Sequence, residues 1–166
     1  GNRSIALRSV GAENASSVYI PSGNLSPAVV EARLTADVPA TLGEFLIDRY
    51  EVVNSEFQRF VDAGGYEDQT YWTHPFINEG VEYSWTEAME LFVDQTNRSG
   101  PATWTAGRYP EGQGNYPVTG ISWYEAAAFA VFEGRSLPTV YHWYRVSGQN
   151  MSGLIVPASN LLVGEG

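Results

Sequence analysis

The stretch Tyr116-Pro-Val-Thr-Gly-Ile-Ser-Trp-Tyr-Glu-Ala-Ala-Ala-Phe-Ala-Val-Phe-Glu-Gly-Arg-Ser-Leu-Pro-Thr-Val-Tyr-His-Trp143 decides the fold class. Its opening reads as a short strand over 116–121. Ser122-Trp-Tyr-Glu125 is a capping box, in which the serine and glutamate side chains each satisfy a free backbone amide of the other. The helix it opens carries Ala126, Ala127 and Ala130, small residues that admit a close neighbour. Trp123 reads as core, so its truncation to alanine is expected to cost about 3–5 kcal/mol. Gly134 stands where a helix ends in the left-handed conformation. Leu137-Pro-Thr139 then caps a further helix carrying Val140, Trp143 and Tyr144. Strand, helix, stop and second helix in so short a span indicate a compact α+β domain.

Working upstream, residues 95–115 form a long loop with Trp104 and Tyr109. Ser84-Trp-Thr-Glu87 is another capping box, with Trp85, Ala88, Met89 and Phe92 on one side of its helix. Tyr66 to Phe76 is an aromatic loop containing His74. Asn54 reads as the N-cap of a helix whose apolar face is Phe57, Phe60 and Val61, and Gly64-Gly65 stops it. Leu42 to Val53 is β-rich, a strand buried on both faces at its start. Val29 to Leu34 and Val18-Tyr-Ile20 read as further strands, the latter closed by a Pro/Gly turn. Residues 1–17 are small and polar, a linker or edge segment, which leaves 18–166 as the domain.

Composition narrows the function classes. At 166 residues the chain is long enough to bury roughly 70% of its unfolded surface. Hydrophobic residues are 43% and charged residues 17%, a globular mix. Its 5 Trp, 10 Tyr and 7 Phe build a core of rings instead of long aliphatic helices. A net charge of −10, with every basic residue a scattered Arg, disfavours nucleic acid and anionic membrane as partners. Without Lys there is no Schiff-base or P-loop lysine, and without Cys no disulfide, thiolate ligand or thiol nucleophile. No apolar run reaches membrane-spanning length. An acidic, lysine-free surface suits an extracytoplasmic or saline setting. Asn-x-Ser sequons occur at Asn2, Asn14, Asn24, Asn97 and Asn150, common in a chain so rich in both residues. The chain opens at Gly1-Asn-Arg and closes at Val163-Gly-Glu-Gly without stop signals, the pattern expected of a segment of something longer.

Three blocks resemble the formylglycine-generating enzyme (sulfatase-modifying factor) family. They are Phe45 to Phe57 with Phe60-Val-Asp-Ala-Gly-Gly-Tyr66, then Pro117 to Ala130, then Gly134 to Trp143. Val53 stands where that family usually has Thr, and Tyr141-His142 where acidic residues are common. Tyr71-Trp-Thr-His-Pro-Phe76 and Gly100-Pro-Ala-Thr-Trp104 are similar to a bacterial multidomain branch. The resemblance spans about residues 18–162. It implies a complex, loop-rich C-type-lectin-like fold with short helices packed on small antiparallel sheets. It also implies oxidation of a partner protein's cysteine with copper held by two cysteines. No such pair is present, and the family's cysteines, most of its calcium ligands and its closing strands lie downstream of the Leu-Pro-Thr block. Calcium is thus admitted by resemblance alone, and copper only with a cysteine pair beyond Gly166.

The candidate ligand-groove residues are Tyr71, Trp72, His74, Trp104, Tyr109 and His142, with Tyr66 beside them. Exposed rings floor a groove for an extended peptide or a sugar at low entropic cost; buried, the same rings are satellite core. His142 lies in the Leu-Pro-Thr helix, which in the resembled family borders the active groove; the alternative is an imidazole bonded to backbone. Asp48, Glu51 and Glu56 are weak metal candidates without an EF-hand rhythm, and ion pairing to Arg49 or Arg135 competes. Glu87 and Glu125 belong to their capping boxes and are poor general acids or bases. Ser122 and Ser136 lack His/Asp partners for nucleophilic catalysis. Three functions follow: a non-catalytic binding or structural module with a protein or peptide partner; the N-terminal half of a copper-dependent oxidase; or a carbohydrate-binding lectin-like module. The last lacks the Glu-Pro-Asn and Gln-Pro-Asp markers.

Overall fold

The computed structural model describes residues 17–25 and 41–147. The linker expected before Ser17 and the strand expected at Val29 to Leu34 lie outside the described residues. The chain forms an α+β structure in two compact units, one holding described residues 49–137 and the other 17–25, 41–48 and 138–147. No described helix is long and apolar enough to cross a membrane.

In the second unit β1 (Ser17–Ile20) pairs antiparallel with β4 (Phe45–Asp48), and β2 (Gly23–Asn24) with β3 (Thr41–Leu42). Helix α4 (Val140–Ser147) adds Tyr141 to a small core with Leu25 and Leu42. Phe45 is buried but Leu46 is 43% exposed, so the β-rich run from Leu42 is two short strands with one apolar face, not one strand buried on both.

The first unit contains helices α1 (Asn54–Asp62), α2 (Trp85–Met89) and α3 (Trp123–Phe132), a 3₁₀ turn (Gln69–Tyr71), and the hairpin β5 (Phe76–Asn78) with β6 (Val81–Tyr83). Its core is a ring cluster. Phe57 stacks on Phe129 at 5.2 Å, meets Phe60 and Trp104 edge-on, and Trp72 stacks on Phe92 at 5.4 Å. The expected apolar face of α1 is buried through Phe57 and Phe60.

Both Ser/Glu capping boxes form. Ser84 and Glu87 open α2, and Ser122 and Glu125 open α3. Local rules fail elsewhere for identifiable reasons. Val53, not Asn54, is the N-cap of α1; Asn54 is buried, its amide occupied by the Gln113 carbonyl and the Trp104 indole N–H. The strand expected at 116–121 is only a bridge between Val53 and Pro117. Pro117 has no N–H for a ladder, and Gly120 turns to φ 72°, where an added Cβ would stand 2.7 Å from the Thr103 amide nitrogen. Trp123 is 55% exposed, so its place in the core is corrected: the phase of α3 puts Ala127, Ala128 and Phe129 inward instead. The β5–β6 hairpin went unread because its turn, Glu79-Gly80 with both φ positive (51° and 81°), has the conformation of a two-residue hairpin loop but lacks the usual Asn-Gly sequence.

Candidate functional site

A groove of ≈ 520 Å³ is lined by Arg49, Tyr50, Glu51, Val53, Asn115 and Pro117. It is built where the segment leading into α1 meets the loop before α3. The Val118 N–H donates to the Val52 carbonyl, the Asn54 N–H to Tyr116 and the Ser55 N–H to Gly114, each at 2.9 Å. Buried Asn54 reinforces the seam through Gln113 at 2.9 Å. These bonds fix the floor and leave the rim side chains in water. Tyr50 is 75% exposed and neighbouring Tyr116 60%. A guanidinium, a carboxylate, an amide and a phenol ring on one rim are suited to holding a ligand by charge, hydrogen bond and stacking.

Of the candidate ligand and metal residues named from sequence, Glu51 alone is among those lining this groove. Trp104 has no exposed surface and Trp72 is buried, while Tyr71 and Tyr109 pack half-buried against the same core. The Trp72 indole donates to the Gly65 carbonyl at 2.9 Å. These two tryptophans are therefore core and cannot floor a groove; a loop with no covering element still folds its rings inward when they meet Phe57 and Phe60. Tyr66 is buried as well.

His74 is exposed and packs on Trp123 at 4.8 Å between ring centres. The crevice beside it, lined by Trp72, Phe76 and Tyr124, has no interior room for water. In the other unit, His142 Nδ1 accepts from the Thr139 N–H at 3.2 Å and lies 2.7 Å from the Thr139 hydroxyl. Its imidazole is thus bonded to backbone.

The acidic candidates separate. Asp48 accepts from the Ser17 hydroxyl at 2.9 Å, and Glu56 accepts from the Val53 N–H at 3.0 Å. Among the described residues no three His, Cys, Asp or Glu side chains converge as metal ligands. A sequence without Cys cannot supply thiolates to copper.

Among the described residues two buried carboxylates remain, and both are engaged. Glu125 accepts the Ser122 N–H and the Tyr66 hydroxyl, each at 2.6 Å. Burial pushes its pKa up against the pull of those hydrogen bonds, and burial beside Glu125 also raises that of Tyr66. Asp94 accepts from the Thr96 N–H, the Thr96 hydroxyl, the Arg98 N–H and the Gly107 N–H. Its burial works against the charge, but these four donors outweigh it and hold the carboxyl at about 2. Asp94 thus ties the 94–108 loop together. Sequence reasoning missed Arg49, Tyr50, Asn115 and Pro117. The one available signal was the charged and aromatic run Asp48-Arg-Tyr-Glu51, which breaks the apolar alternation of the strand before it.

The Sulfatase-modifying factor enzyme 1-like domain matches this sequence over residues 5–153. Formylglycine-generating enzyme of Mus musculus is 28% identical over 169 residues, covering 90% of this chain and 44% of that protein. Its namesake in Thermomonospora curvata is 33% identical, covering 75% of this chain and 44% of that protein. Hercynine oxygenase of Mycobacterium tuberculosis is 36% identical over 110 residues, covering 64% of this chain and 23% of that protein. The chain thus spans less than half the length of these relatives. Short helices, two-stranded antiparallel sheets and long ordered loops agree with the C-type-lectin-like fold of such domains. On the breadth of that match, the chain belongs to the sulfatase-modifying factor enzyme 1-like domain family.

Proposed function

We propose that this chain is a non-catalytic binding module of the sulfatase-modifying-factor type, which holds a protein or peptide partner in the groove at Arg49, Tyr50, Glu51 and Asn115. The observation that carries the reading is the composition of that rim: residues suited to recognition, fixed from beneath by backbone bonds, with Tyr50 standing 75% exposed. The strongly buried carboxylates, Glu125 and Asp94, accept from structural donors, the Tyr66 hydroxyl and the Ser122 and Gly107 amides among them, a use that suits bracing better than catalysis. The test is binding of the full-length polypeptide to a peptide array, followed by titration of the best peptide. Tyr50→Ala is expected to weaken that peptide at least tenfold, as loss of a central aromatic anchor does. Unchanged affinity in Tyr50→Ala would remove the groove from the reading. Binding to a glycan array with no peptide bound would favour the lectin-like alternative.

A second reading has a specific observation behind it. Two relatives named formylglycine-generating enzyme match 90% and 75% of this chain. In that reading the chain is the N-terminal half of a copper-dependent oxidase whose cysteines lie beyond residue 166. Copper would then supply the oxidative chemistry, and residues 1–166 would contribute fold and partner binding. Conversion of a peptide cysteine to formylglycine by the full-length polypeptide, read by mass, would establish it.

A further inference from the structure

His142 does in α4 what a glutamate does in α2 and α3. Thr139, immediately before Val140, sits where Ser84 and Ser122 sit before their helices, and His142 occupies the place of Glu87 and Glu125. The His142 N–H points back to the Thr139 hydroxyl at 3.4 Å, and the Thr139 N–H donates to His142 Nδ1 at 3.2 Å. This is a capping box whose reciprocal acceptor is an imidazole.

A glutamate accepts throughout the neutral range, whereas an imidazole accepts only through a bare nitrogen. Because a backbone N–H can only donate, this bond draws on the Nδ1 lone pair of the neutral Nε2–H tautomer, while the Thr139 hydroxyl, 2.7 Å from the same nitrogen, can donate to it or accept from it. Protonation would set an N–H against an N–H. It would also place a cation in the first turn, at the positive end of the helix dipole.

We propose that Thr139 and His142 form an acid-sensitive latch, which holds the first turn of α4 while the imidazole is neutral and releases it on protonation. The acceptor beside Nδ1 is the Thr139 hydroxyl at 2.7 Å, the same oxygen to which the His142 N–H points. From β4, Phe45 meets the ring edge-on at 4.7 Å. On and beside that strand, Glu44 is held by the Tyr19 hydroxyl at 2.6 Å and Asp48 by Ser17. On α4 itself, Arg145 reaches toward the Pro21 carbonyl at 3.5 Å, and Tyr141 packs with Leu25 and Leu42. Burial lowers the His142 pKa from its usual 6.5, in keeping with the geometry. A lowered folded value means that the unfolded chain binds the extra proton first. The stabilisation is therefore complete above about pH 6.5 and declines as pH falls below it. Release of the latch would loosen Tyr141, the contribution of α4 to the small core of its unit.

The experiment is amide exchange and imidazole titration by NMR on the full-length polypeptide between pH 7.5 and 5. Protection of the α4 amides, referred to α1, is expected to fall severalfold across that range. In His142→Gln, where an uncharged acceptor replaces the ring, that ratio should stay flat; in His74→Gln it should fall as in the parent. Equal loss in parent and His142→Gln overturns the proposal, as does a His142 imidazole that titrates at or above 6.5 in the parent. The titration needs no substitution, so it decides the matter even if a variant fails to fold.

Discussion

Asp94 shows how much one side chain sets in this protein. The loop 94–108 contains two residues other than glycine at positive φ, Asn97 at 61° and Ala106 at 53°, a conformation that costs on the order of 1 kcal/mol each. Four donors converging on one carboxylate keep that loop in place. Because the folded carboxyl titrates at about 2, below its ordinary 3.8, the stabilisation exists above pH 3.8 and is lost as pH falls toward 2. Asp94→Asn retains one acceptor but turns an amide toward the Gly107 N–H. It is expected to cost roughly 2 kcal/mol at pH 7 and almost nothing near pH 2. Urea unfolding of both proteins at the two pH values checks this, and a pH-independent difference would contradict it.

At the scale of elements, helix capping explains both what was readable and what was not. Ser84/Glu87 and Ser122/Glu125 lie three residues apart in sequence, and that spacing alone makes them meet at a helix start. Helix α1 has half such a box. Glu56 accepts from the Val53 amide, but valine has no hydroxyl to return to Glu56. Asn54 looked like the cap because its residue type favours that position, yet its side chain is taken by Gln113 and Trp104, at sequence separations of 59 and 50. Tertiary partners prevail over the local one. Val53→Thr should complete the box and stabilise the protein by about 1 kcal/mol. A rise in Tm of a few degrees by calorimetry would bear this out, and a fall would mean that the packing of the valine methyl groups outweighs the cap.

For the molecule as a whole, the ring cluster carries the first unit, and two tryptophans separate core from surface. Trp104 is fully buried between Phe57 and Tyr109, with its indole N–H on Asn54. Trp104→Ala is expected to cost about 3–5 kcal/mol, as deletion of a large buried ring does. Trp123→Ala should cost under about 1 kcal/mol, since that residue is 55% exposed. Thermal melts of the two variants test the assignment, and the reverse order would refute it. The sequence by itself determined the α+β class, the family, the starts of α2 and α3 and the apolar face of α1. All of these depend on neighbours three or four residues apart or on contiguous motifs. Only the tertiary structure decided which rings are interior, that Asn54 is a brace and that Arg49, Tyr50 and Asn115 share a groove. Those outcomes depend on segments some sixty residues apart meeting through backbone bonds, such as Val52 with Val118, and no local pattern encodes which loops will face each other.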